Sequence, residues 1–74
     1  MLVKFSNPGQ SYTIQCDSVS VEVSEHGSRV RVLRDGHSVH DGFVGVADNN
    51  RVEGVMHYDR AYVMENGVTV DTIK

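Results

Sequence analysis

The sequence predicts an all-β fold, and three observations carry that prediction. Fourteen of the 74 residues are valine, whereas leucine occurs only at Leu2 and Leu33 and alanine only at Ala47 and Ala61. β-Branched side chains suit a pleated, half-buried surface, while leucine and alanine favour helices. Apolar residues alternate with polar ones, most cleanly in Ser18-Val19-Ser20-Val21-Glu22-Val23-Ser24, which is the period of a strand with one wet face. Turn dipeptides punctuate the chain, with Asp35-Gly36 and Asn66-Gly67 the strongest short hairpin signals.

Leu2 to Phe5 reads as a first strand. Pro8 fixes φ and Gly9 tolerates a positive φ, which fits a type II turn. Ser11 to Cys16 returns, with Tyr12, Ile14 and Cys16 on one face. In the third strand Val19, Val21 and Val23 point inward. Glu25 to Ser28 is a short loop, and Arg29 to Arg34 comes back with Val30 and Val32 inward and Arg29 and Arg31 outward. The Asp35-Gly36 turn pairs Arg34 with His37, Val32 with Val39 and Val30 with Asp41. That last pair conflicts with the pattern, so the ladder is expected to loosen near Asp41-Gly42. A turn at Asn49-Asn50 would set Val44 opposite Val55 and Gly45 opposite Gly54. Asn66-Gly67 would pair Val63 with Val70, Met64 with Thr69 and Tyr62 with Asp71.

The expected architecture is a single domain, residues 1–74, holding an antiparallel meander of seven or eight short strands. Such a meander closes as a small β-barrel or folds into a two-layer β-sandwich. A chain this small buries only about 60% of its unfolded surface, and an open meander has two exposed edges. A homo-oligomer is therefore expected.

Composition also excludes function classes. The net charge is −3, which argues against nucleic acid as a partner, because that binding lives on a basic excess. No apolar run approaches the ~18 residues of a membrane span, and no secretory leader is recognisable. A cytoplasmic location is expected. The only cysteine is Cys16, so neither an internal disulfide nor a cysteine zinc cluster is available. Beside Asp17, and alternating with Tyr12 and Ile14, Cys16 reads as a small core residue rather than a nucleophile.

His37 and His40, with Asp41 beside them and His57 later, are the metal candidates. Three apart on a strand means opposite faces, so no metal site is expected. No phosphate loop, nucleophile elbow or dinucleotide fingerprint is present. Neither an enzymatic activity nor a cofactor is therefore expected. Arg29 and Arg31, projecting from one face, are candidate anion-binding residues, against a plainer role in cross-strand ion pairs. Tyr58-Asp59-Arg60-Ala61-Tyr62 holds two tyrosines and an arginine around a turn. Tyrosine and arginine are enriched in binding hot spots, which makes Tyr58, Arg60 and Tyr62 the candidate partner-binding residues.

The tail from Tyr58 to Ile73, with its Glu65-Asn66-Gly67-Val68 turn, resembles the final hairpin of small phage-encoded β-domain accessory proteins. The resemblance implies an accessory protein of the host cytoplasm that binds and inhibits or modulates a host protein. Two other readings stay open: a nucleotide or phosphate sponge formed between subunits by Arg29, Arg31 or Arg60, and a structural subunit of a larger particle.

Overall fold

A computed structural model describes residues 1–45 and 55–74. Eight strands follow in order: β1 (Leu2–Asn7), β2 (Gln10–Gln15), β3 (Ser18–Ser24), β4 (Gly27–Arg34), β5 (His37–Val44), β6 (Met56–Tyr58), β7 (Arg60–Glu65) and β8 (Val68–Ile73). They form two four-stranded sheets, ordered β2-β1-β7-β8 and β3-β4-β5-β6. Among the described residues neither sheet closes into a barrel, and no helix is long and apolar enough to cross a membrane.

The connectivity departs from a simple meander. β7 pairs with β1 rather than with β6, and β6 lies parallel to β5, with Val44 opposite Tyr58 instead of Val55. An antiparallel hairpin between β5 and β6 is thus ruled out. The expected Asn49-Asn50 turn and the Gly45–Gly54 pair lie outside the described residues. Each sheet lends one face to a shared core. Val3, Phe5, Ala61, Val63 and Ile73 come from the first sheet, and Val30, Val32, Val44 and Tyr58 from the second.

Both strong turn signals form as expected. Asp35, Gly36, Asn66 and Gly67 all have positive φ, the geometry of a two-residue turn whose twist matches the flanking strands. Their registers, however, correct the sequence expectation beyond the second pair. Leu33 pairs with Ser38, but Val32 then pairs with His40, leaving Val39 as the extra residue of a β-bulge. In the same way Met64 pairs with Thr69 and Val63 with Asp71, leaving Val70 bulged. The two bulges occupy the same place, three residues after the turn glycine. The segments Val32-Leu33-Arg34-Asp35-Gly36-His37-Ser38-Val39 and Val63-Met64-Glu65-Asn66-Gly67-Val68-Thr69-Val70 are thus structural equivalents. The physical reason is parity: one extra residue moves every later side chain to the other face. It takes Asp41 away from Val30 and sets it opposite Arg31, while Gly42 faces Val30. It likewise sets Ile73 opposite Ala61, where both are buried.

The third strand brings another correction. Val19 and Val21 pair with the buried Val32 and Val30, as an inward face requires. Yet only Val19 packs against the core. Val21 is 39% exposed and Val23 81%, because the opposite sheet does not extend over this edge.

Two corners tie the sheets together. At the first, Asp17 N–H donates to Leu33 O at 2.9 Å, Asp35 N–H to Asp17 Oδ2 at 2.8 Å and the Arg34 guanidinium to Gln15 O at 2.9 Å. At the second, Asp59 N–H donates to Ser6 O at 2.9 Å, and Asn7 both donates to His57 O at 3.2 Å and accepts from Asp59 N–H at 3.0 Å.

Candidate functional site

An open cleft of about 560 Å³ lies between β2 of one sheet and β5 and β6 of the other, lined by Ser11, Tyr12, Thr13, Ile14, His40, Met56 and Tyr58. Its floor follows from a missing side chain. A Cβ at Gly42 would stand 2.9 Å from Tyr58 Cε2 and 3.0 Å from Phe5 Cε1, so glycine makes the room into which both rings settle. Phe5 and Tyr58 lie 4.5 Å apart between centroids. Tyr12 meets Tyr58 edge-on at 6.2 Å, a preferred arrangement of aromatic quadrupoles.

The polar feature of the floor is a hydrogen bond of 2.9 Å between His40 Nε2 and the Tyr58 hydroxyl. It exists because the Val39 bulge turns His40 towards the core side of its sheet, opposite Val32. Burial pushes the His40 pKa below its ordinary value, with the Asp41 charge opposing. Burial also raises the Tyr58 pKa, as does the neighbouring Tyr12 to a lesser degree. Both shifts keep the pair uncharged near neutral pH. Above this floor Tyr12 and Met56 stand 45% and 55% exposed. The cleft therefore offers a flat aromatic wall and a flexible thioether beside the β2 strand. Such a lining suits an apolar or aromatic group better than a charged one.

The structure separates the residues that the sequence grouped together. Tyr58 is buried and faces the cleft. Arg60 and Tyr62 alternate with the buried Ala61 and Val63, so they lie on the outer face of β7, opposite Ser6 and Lys4. Arg29 and Arg31 do share a face, but Asp41 comes with them. The Arg29 guanidinium forks onto the Asp41 carboxylate at 2.6 and 3.1 Å, and Arg31 Nε lies 3.7 Å from it. The Arg29 hydrogen bond is the main cause holding the Asp41 pKa below its ordinary value.

The histidines do not converge either. His37 is exposed beside the turn, His40 faces the core, and His57 stacks on Phe43 at 6.1 Å on the other face of the sheet. Among the described residues no three histidine, cysteine or acidic side chains are grouped to hold a metal ion. Cys16 is buried in the core cluster, and that burial pushes its thiol pKa up, away from nucleophilic reactivity.

Sequence reasoning placed Tyr12 and Ile14 on one face but missed the cleft they wall. Only the parallel β5–β6 pairing, which lays Tyr58 beside Val44, and the place of β2 on the facing wall of the cleft bring these residues together. A local signal did exist in the conflict of Asp41 with Val30, but it pointed to a ladder loosened near Asp41-Gly42, whereas both residues are paired and the irregularity lies at Val39. Comparison with protein-family models, curated proteins and solved structures returned no match, so the functional reading rests on this geometry.

Proposed function

We propose that this protein is a small non-enzymatic binding module that acts by contact with a protein partner, and that the cleft between β2 and β5–β6 receives one of the partner's apolar or aromatic side chains. The observation that carries the reading is an exposed Tyr12 and Met56 standing over a buried, uncharged His40–Tyr58 floor. β2 is also an outer strand of its sheet. An extended segment of a partner can therefore add to its free backbone groups while a side chain enters the cleft. In this reading the module is an accessory protein of the phage-encoded kind that its C-terminal hairpin resembles. It works in the host cytoplasm as a homo-oligomer and inhibits or modulates a host component.

The test is capture of partners from bacterial lysate on the immobilised protein, followed by titration calorimetry of the purified partner against variants. Tyr12→Ala and Met56→Asp should each weaken binding about tenfold or more, with Arg60→Ala and Tyr62→Ala leaving it unchanged. The reverse pattern would move the contact to the outer face of β7, and unaltered affinity in all four variants would sink the cleft.

A further inference from the structure

Among the described residues the two sheets leave four edge strands, and these differ in how they are guarded. β6 is only three residues long, β8 is interrupted by the Val70 bulge with Asp71 next to it, and β2 is the edge that walls the cleft and is assigned above to the partner's segment. β3 carries none of these features. Its seven residues pair with β4 in unbroken register, and it contains neither proline nor lysine. A regular edge with unpaired backbone groups is a template for another strand. On the same strand Val21 and Val23 belong to the inward face but lack cover. An unguarded ladder and an uncovered apolar row thus coincide.

The sequence of β3, Ser-Val-Ser-Val-Glu-Val-Ser, reads almost the same in both directions. We propose that β3 is a homodimer edge, in which two copies of this chain pair antiparallel about a two-fold axis through Val21. This deepens the homo-oligomer part of the reading above and does not depend on the cleft. A two-fold normal to the sheet keeps the valines of both copies on one side. With the axis at Val21, that residue meets its own mate, Val19 meets Val23, Ser18 meets Ser24 and Ser20 meets Glu22. Moving the axis to Glu22 would set two carboxylates directly opposite each other, and moving it to Ser20 would set Val23 against Asp17. Like charges directly opposite destabilise a strand pair, whereas matched β-branched residues stabilise it. Only the Val21 axis joins every valine of β3 to a valine and keeps the carboxylates apart. Glu22 meanwhile retains Arg29 across from it on β4. The paired edges would make one continuous eight-stranded sheet.

Light scattering across a dilution series of the full chain tests the register. The wild type should rise towards twice the 8.2 kDa chain mass as concentration increases. Val21→Lys sets like charges on the axis and should weaken self-association about tenfold or more. Val70→Lys, at the bulged edge, should leave it unchanged. A wild type that stays at the chain mass throughout, or a dimer lost in Val70→Lys but kept in Val21→Lys, would overturn the proposal. Hydrogen exchange on the wild type decides the matter independently of how the variants fold. Protection of those β3 amides that point away from β4 should grow with concentration, and protection that ignores concentration would count against β3 as the interface. Loss of partner binding in Tyr12→Ala with an unchanged mass would separate a failure of the dimer from a failure of the cleft.

Discussion

His40, hydrogen-bonded to Tyr58, shows how burial of one side chain sets a pH dependence. Burial lowers the His40 pKa in the folded chain, so the unfolded chain takes up a proton first as pH falls. The stability tied to neutral His40 is therefore complete above the ordinary histidine value of about 6.5. It is lost as pH drops through that value towards the lowered folded pKa. Urea unfolding at about pH 7 and pH 5 should show the wild type weakening towards the acid side, and His40→Gln should reduce that difference. An equal loss in the variant would remove His40 as the cause. The pair was hidden from sequence reading because the partners are eighteen residues apart and meet only through a parallel strand.

At the scale of the hairpin, the bulges make two valines with the same apparent role behave differently. The turn pattern alone pairs Val32 with Val39 as equals. In the structure Val32 is fully buried, while Val39 is bulged and 44% exposed. Val32→Ala should destabilise by about 2 kcal/mol, the loss of buried methyl groups plus the cavity they leave. Val39→Ala should change stability by less than about 0.5 kcal/mol. Equal losses in chemical denaturation would restore the unbulged register.

The bulge also delivers Asp41 to Arg29. Asp41→Asn should cost about 1 kcal/mol or less, since both side chains are partly in water and such pairs are screened. The folded pKa of Asp41 is depressed, so its contribution is present above the ordinary carboxylate value of about 3.9 and disappears as pH falls through the folded pKa. The gap between wild type and Asp41→Asn in thermal melts should therefore narrow below about pH 4. A gap independent of pH would mean that the amide disturbs packing and that the lost charge is not the cause.

For the whole molecule, the question is what holds two small sheets over one core. The core cluster takes residues from β1, β4, β5, β6, β7 and β8, so no hairpin keeps its apolar face covered alone. Asn7 looks like an ordinary turn residue beside Pro8, yet it spans the corner where the chain passes from one sheet to the other. It donates to His57 O and accepts from Asp59 N–H. Asn7→Ala removes both bonds and should cost about 1–2 kcal/mol, with a single cooperative transition retained by circular dichroism and fluorescence. Unchanged stability would show that solvent replaces both bonds.

Much of this protein was legible in its sequence. The valine excess and alternation established an all-β chain, Asp35-Gly36 and Asn66-Gly67 located two turns with positive φ, and Cys16, Val30 and Val32 were assigned correctly to the core. These are local properties, because turn dihedrals and side-chain alternation depend on a few neighbouring residues. The tertiary structure decided the rest. The bulges at Val39 and Val70 give up an unbroken ladder and set Asp41 opposite Arg31 and the buried Ile73 opposite Ala61. The parallel seating of β6 against β5, and the separation of Tyr58 from Arg60 and Tyr62, depend on pairings between distant segments. A period of two tells which residues share a face but not which faces meet, and in this protein the candidate site is made where they meet.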